Sequence, residues 1–173
     1  MYNGKTLLQH AIDTAVKTSA IKILVVLGCN EDVIKKELIG DATIVFNEKW
    51  SEGMASSIVC GLKSLTTMFP QVDAVIFMVC DQPYISTEIL NELVEEYIKT
   101  GKPIIASRYD NNLGIPALFD NSLFTTLLTL RGDTGAKKII AQNAESVGSI
   151  NFPLGNIDID TDAAYIALLQ QPV

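Results

Sequence analysis

The chain is poor in the residues that advertise a site. Cysteine occurs three times, at Cys29, Cys60 and Cys80. The number is odd and the spacing wide, which matches neither a zinc-binding pattern nor a disulfide framework and is most simply read as reduced thiols in a cytoplasmic protein. The one histidine, His10, falls on the first predicted helix, where a structural or surface role is expected. No apolar run approaches the length of a membrane span. No basic opening, apolar stretch and cleavage site mark a secretory signal. Positive charge is scarce too: 13 Lys and Arg face 20 Asp and Glu, a net charge of -7. Without a basic stripe to release counterions, a nonspecific nucleic-acid binder is excluded. No repeat, low-complexity tract or linker divides the chain.

What is present is an ordinary globular composition. Its 173 residues, 48% apolar and 19% charged, suffice for one domain, 1–173, with a real core. The acidity has one further consequence. A nucleotide's phosphates would be repelled unless a cation or a cluster of donors reversed the local sign, so any nucleotide-binding reading brings a divalent cation with it.

The central stretch is Ala74 to Pro83, Ala-Val-Ile-Phe-Met-Val-Cys-Asp-Gln-Pro. Its unbroken apolar run predicts a strand buried on both faces, and Gln82-Pro83 ends it. Asp81 is then expected at the carboxyl end of a parallel strand, the edge where open α/β sheets bind ligands. Two roles are open to it on this basis: a carboxylate for a hard cation, or a cap on a turn.

Around this strand, apolar spacing predicts strands at Ile21 to Leu27, Ala42 to Phe46, Pro103 to Ser107, Ile115 to Phe119 and Asn156 to Asp160. Pro116 would put the fourth of these, Ile115 to Phe119, at an edge or a bulge. Helices are predicted from Thr6, a capping-box start with Gln9, over Glu31 to Ile39, from Met54 to Phe69, from Ser86 or Thr87 to Gly101, over Leu123 to Leu130 and Ala136 to Asn143, and from Thr161 to Leu169. Strand–helix alternation of this kind predicts a mostly parallel sheet with helices on both faces. The small and hydroxyl residues of Glu52-Gly53-Met54-Ala55-Ser56-Ser57 make either a close-approach site for an anion or a plain helix entry. Gly4-Lys5-Thr6 lacks the upstream glycine of a phosphate-binding P-loop.

Four motifs occur in order: Asn47-Glu-Lys-Trp-Ser-Glu-Gly-Met-Ala-Ser-Ser57, Cys80-Asp-Gln-Pro83, Arg131-Gly-Asp-Thr-Gly-Ala136 and Asp158-Ile-Asp-Thr161. Together they resemble the molybdenum cofactor nucleotidyltransferases of the MobA/MocA-like family, the cytidylyltransferase-like branch most of all. The resemblance runs from Gly4 to about Tyr165. It implies a three-layer Rossmann-like nucleotidyltransferase fold and transfer of CMP or GMP from CTP or GTP to molybdopterin, with release of pyrophosphate. It also implies a product destined for a molybdoenzyme or its chaperone. Asp81 and Asp160 would be the catalytic pair holding Mg²⁺, with Asp158 able to substitute. Trp50, Glu52, Gly53, Met54, Ser56 and Ser57 would line the pterin or nucleotide pocket. Gln82, Pro83 and Gly114 would join it, and Arg131, Gly132, Asp133 and Gly135 would form part of its wall.

The family's opening strand, with its Gly-rich loop and Pro-Lys pair, has no counterpart here. In the family that strand lies mid-sheet, between those of Ile21 and Ala74, so the domain is expected to be N-terminally incomplete. A second departure is Gly114-Ile115-Pro116 in place of Gly-His-Pro. Two other readings therefore stand beside the first: the same transfer onto a sugar or alditol phosphate, and a noncatalytic nucleotide- or pterin-binding module.

Overall fold

The computed structural model describes residues 1–170. The elements follow in the order α1 (Leu7–Val16), β1 (Leu24–Leu27), α2 (Glu31–Glu37), β2 (Thr43–Phe46), α3 (Met54–Met68), β3 (Ala74–Phe77), α4 (Thr87–Thr100), β4 (Ile104–Tyr109), β5 (Asn112–Asp120), α5 (Phe124–Leu127), α6 (Lys137–Gln142), β6 (Val147–Asn151) and α7 (Asp162–Leu169).

Helix boundaries follow side-chain capping. The hydroxyls of Thr6, Ser86 and Thr161 accept from the N–H groups of Gln9, Ile89 and Ala164, satisfying donors that α1, α4 and α7 would leave orphaned. Gly101, left-handed at φ 63°, ends α4. The capping box at α1 is only half made. Gln9 does not turn back to Thr6; it is buried, donates to Asp13 and to the carbonyl of Ile39, and accepts from the Ile39 N–H. It therefore ties α1 to the chain after α2. His10 bonds the Tyr2 carbonyl at 2.6 Å and packs against the Tyr2 ring, the structural role expected of it.

The α/β architecture is as the sequence predicts, but the sheet is mixed. Strands β1 and β2 form a two-stranded parallel sheet. The other four take the order β3-β5-β4-β6, with β5 antiparallel to both β3 and β4, and β4 parallel to β6. Strand β5 is thus central, not at an edge. Pro116 is accommodated by the alternative the sequence allowed, a bulge: the register between β4 and β5 shifts from Ala106↔Ala117 to Ser107↔Gly114. The buried Ser107 hydroxyl donates to the Pro116 carbonyl at 2.6 Å. Asp110 and Asn111, at φ 46° and 62°, make the two-residue turn joining β4 to β5.

Alternation along the central strands builds the layers. Ile104 and Ala106 of β4, with Ala117 and Phe119 of β5, face a core closed by α3, α5 and α6 through Leu62, Leu127 and Ile139. Ile105 and Leu118 point the other way, toward Ala15 of α1 and Leu90 and Leu93 of α4. Each fully buried side chain of this size contributes about 1.5–3 kcal/mol. A third, smaller core of Ile12, Val25 and Leu27 sits under β1 and α2.

Three expectations change. Strand β3 is half-buried along its length because it is an edge strand of the four-stranded sheet. Residues Asn156 to Asp160 form no strand, but an extended segment whose Ile159 N–H donates to the Asp81 carbonyl at 2.8 Å. The last strand is instead β6, whose Gly148, Ser149 and Asn151 dilute the apolar signal. The 123–130 helix is also shorter: a 3-10 turn at Asn121–Leu123 leads into the four-residue α5. No helix among the described residues is long and apolar enough to cross a membrane.

Candidate active site

Asp81 lies four residues beyond β3, in the irregular chain leading to α4. Its Oδ1 is buried and has no hydrogen-bond partner among the described residues. Burial pushes its carboxyl above the ordinary aspartate range. The negative charges of Asp158 and then Asp160 push it further, while its backbone hydrogen bond and the Lys137 ammonium oppose the rise. The two exposed acids of the 156–160 segment are thus brought within electrostatic reach of Asp81, and the Ile159-to-Asp81 backbone bond holds them there. No three His, Cys, Asp or Glu side chains among the described residues converge into a complete cage. This donor set fits a hard cation that takes one or two carboxylates and fills its remaining positions with phosphate oxygens and water, as Mg²⁺ does.

Next to Asp81, Gln82 is buried, and its amide donates to the Gly155 carbonyl at 2.6 Å while its Oε1 has no partner. Pro83 occupies the turn closed by the Ile85 N–H on the Gln82 carbonyl.

The segment after β2 forms a second wall. Asn47 is buried; its amide donates to the hydroxyls of Ser56 and Ser57 at 2.8 and 3.1 Å, and its oxygen accepts from the Lys49 N–H. Ser56 and Ser57 therefore hold the loop in shape. Trp50 is half-exposed and lies over Gly28, where a Cβ would come within 2.5 Å of the Trp50 Cβ. Glu52 pairs with Lys49 at the surface.

Gly53 opens α3 at φ 101°, and a Cβ there would meet Asp133 Oδ1 at 2.5 Å and the Gly132 carbonyl carbon at 2.6 Å. The Ala55 N–H donates to the Gly132 carbonyl, and Gly135 abuts the Met54 sulfur. The start of α3 is therefore docked on the Arg131–Gly135 turn, and one of its free donors is already used. Arg131 caps its own turn, donating to the carbonyls of Leu128 and Leu130. That turn leads directly into Lys137, the first residue of α6, which returns the path to Asp81.

The fold thus joins Asp81, Gln82, Asp158 and Asp160 at one point, and Gly53, Met54, Gly132, Asp133 and Gly135 at another, with Lys137, two residues after Gly135, within electrostatic reach of Asp81. Sequence reasoning passed over Asn47 as a brace, Gly28 as the seat of Trp50, and Tyr109, Lys137 and Gly155. Only Lys137, a cation directly after the glycine turn, carried any signal.

Comparison with known proteins accords with this geometry. A MobA-like NTP transferase domain matches residues 1–147. Nicotine blue oxidoreductase of Paenarthrobacter nicotinovorans is 27% identical over 150 residues, 82% of this chain and 71% of its own. Among solved structures, Rv0371C of Mycobacterium tuberculosis H37Rv in complex with manganese superposes with a TM-score of 0.79 at 22% identity, covering 99% of this chain and 90% of that one. Molybdopterin-guanine dinucleotide biosynthesis protein A from Archaeoglobus fulgidus does so with a TM-score of 0.64 at 16% identity, covering 98% and 87%. At these identities the structures show a shared fold, while the domain match decides the family: the chain belongs to the MobA-like NTP transferases, enzymes of the nucleotidyltransferase type.

Proposed function

We propose that this chain carries out a Mg²⁺-dependent nucleotidyl transfer, moving CMP, or alternatively GMP, from the triphosphate to the phosphate of molybdopterin. The observation that carries this reading is the buried, unpartnered Oδ1 of Asp81 beside Asp158 and Asp160. A carboxylate in that position is costly to keep unless a cation takes it. Asp81 and Asp160 would hold the metal, with Asp158 in reserve. When bound, the cation neutralises phosphate charge and draws the triphosphate into an acidic protein.

The chemistry needs no protein nucleophile. An oxygen of the acceptor phosphate attacks the α-phosphorus, a new P–O bond forms, and the α–β bridging P–O bond breaks, its electron pair leaving with pyrophosphate. The chain's own part is to position the two phosphates and stabilise their charge. The junction of Gly53 with Gly132 and Asp133 offers the wall for base or pterin. Resemblance to the molybdenum cofactor branch favours a pterin acceptor; a sugar or alditol phosphate would leave every step unchanged.

The test is pyrophosphate release from CTP or GTP with Mg²⁺, against molybdopterin and a panel of sugar and alditol phosphates. Release with molybdopterin alone supports the reading, and release with another acceptor replaces the pterin. Calorimetric binding of Mg²⁺–CTP without any turnover would make this chain a binding module. Asp81→Ala is expected to abolish binding of the Mg²⁺–nucleotide complex, and unchanged affinity would remove Asp81 from the metal.

A further inference from the structure

One side chain beside the site has no explanation in the fold. Tyr109, the last residue of β4, is 8% exposed, yet its hydroxyl has no hydrogen-bond partner among the described residues. Buried hydroxyls are rarely left so. Its ring is wedged between two glycines. Gly155 lies on one side, where a Cβ would come within 2.5 Å of the ring's Cδ1. Gly114 lies against the phenol end, where a Cβ would collide with the hydroxyl. The same added Cβ would meet Lys137 Cε at 3.1 Å, so the Tyr109 hydroxyl, the Gly114 backbone and the Lys137 stem converge. The Lys137 ammonium stands 6.0 Å from the Tyr109 ring centroid.

This group is continuous with the acid site. Gly155, under the Tyr109 ring, accepts from Gln82, the neighbour of Asp81. Lys137 is near enough to Asp81 for its charge to act on that carboxylate. The exposed Lys137 ammonium therefore lies within electrostatic reach of a carboxylate whose Oδ1 has no partner, and the Tyr109 hydroxyl converges on the stem of that same lysine. A phosphoryl group supplies what all three want: one oxygen for the cation held by Asp81, and others for a hydroxyl and an ammonium.

We propose that Tyr109 and Lys137 form a phosphoryl-oxygen subsite next to Asp81, with Gly114 required because a Cβ there would collide with the Tyr109 hydroxyl. This rests on the nucleotidyl-transfer reading for the identity of the ligand. It adds to that reading the residues that grip the non-bridging oxygens. Two phosphoryl groups could occupy the subsite, the α-phosphate of the triphosphate or the phosphate of the acceptor.

The test uses the full chain and isothermal calorimetry in two arms: Mg²⁺–CTP alone, and inorganic phosphate added to the protein saturated with Mg²⁺–CTP. Lys137→Met and Tyr109→Phe are each expected to weaken one arm about tenfold, the loss of one hydrogen bond to a charged oxygen. Lys137→Arg is expected to recover most of the affinity, which a merely structural role for the stem would not require. Loss in the first arm assigns the subsite to the α-phosphate, and loss in the second to the acceptor. Should Lys137→Met fail to fold, Tyr109→Phe, which removes only an oxygen, reads the same two arms. Unchanged affinity in both arms for both variants overturns the subsite and leaves the transfer reading standing. If the unaltered protein binds neither Mg²⁺–CTP nor phosphate, both fall. If Asp81→Ala loses Mg²⁺–CTP while Tyr109→Phe and Lys137→Met keep their affinity in both arms, the metal reading survives alone.

Discussion

Single residues at the site are held at a cost to the fold. Asp81 illustrates the sign. Its carboxyl sits above the unfolded value of 3.8, so the folded state binds the proton more tightly. The protonated form is the favoured one, and stability is lost as pH rises from that value through the raised folded one. Asp81→Asn is therefore expected to raise the urea midpoint at about pH 7 in metal-free buffer, with the gain vanishing near pH 3, where both states hold the proton in the parent protein. Equal midpoints at neutral pH would contradict this account. Trp50 is the residue-scale probe, since the chain has no other tryptophan. Gly28→Ala puts a methyl within 2.5 Å of the Trp50 Cβ. Overpacking of that kind costs about 1–3 kcal/mol, and here it is relieved by moving the loop outward. Trp50 emission is expected to shift to longer wavelength, and an unaltered spectrum would show that the indole does not rest on Gly28.

At the scale of elements, the junction of α3 with the 131–135 turn is the feature on which the second wall depends. Two glycines there differ in a way that can be measured. Gly53 at φ 101° has the Gly132 backbone against it, whereas Gly132 at φ 66° has open space where its Cβ would go. Gly132→Ala should cost about 1–2 kcal/mol for the left-handed backbone alone. Gly53→Ala adds a steric clash and should cost about 1–3 kcal/mol more. Urea unfolding of the two variants checks the order, and equal losses would mean that the helix and the turn are not pressed together. The bulge between β4 and β5 is a second element-scale device. Ser107→Ala strands the Pro116 carbonyl in the core, an expected loss of about 1–3 kcal/mol. Sequence reading placed the start of α3 correctly and singled out the 131–135 motif, but as separate pieces. That they touch, and that Ala55 spends its N–H on Gly132, was not legible, because the partners are some 80 positions apart and neither segment has a periodicity that encodes the other.

The whole molecule is uneven in stability. The β3-β5-β4-β6 sheet is packed on both faces, while β1 and β2 are four residues each and α2 buries none of its residues. Only Ile12, Val25 and Leu27 form the buried core there. Amide hydrogen exchange is expected to show β1, β2 and α2 opening at lower free energy than β4 and β5. Uniform protection across both sheets would contradict it. The neighbouring α3 spans the two regions, with Leu62 and Leu65 in the large core and contacts to β1. Ligand seated against the Trp50 loop and Asp81 should therefore raise protection in the weaker layer more than in the strong one.

Local chemistry settled much in advance. Thr6, Ser86 and Thr161 capped helices where a short side-chain oxygen meets free N–H groups, Gly101 ended α4, and the apolar runs gave strands at Leu24, Thr43, Ala74 and Ile104. These are decided within a few residues, so one dimension is enough to read them. The order of four short motifs likewise carried the family, because a set of spaced signatures needs no coordinates. Three dimensions decided the rest. Strand β5 runs backwards because the Asp110-Asn111 turn folds it onto β4, it can hold Pro116 mid-sheet because a bulge absorbs it, and residues 156–160 stay extended beside Asp81 without joining a sheet. Tyr109, Lys137, Gly114 and Gly155 become neighbours only when β4, β5, α6 and the segment after β6 are brought together. Burial, an orphaned hydroxyl and the electrostatic reach of one charge to another are properties of that assembly, and no spacing along the chain contains them.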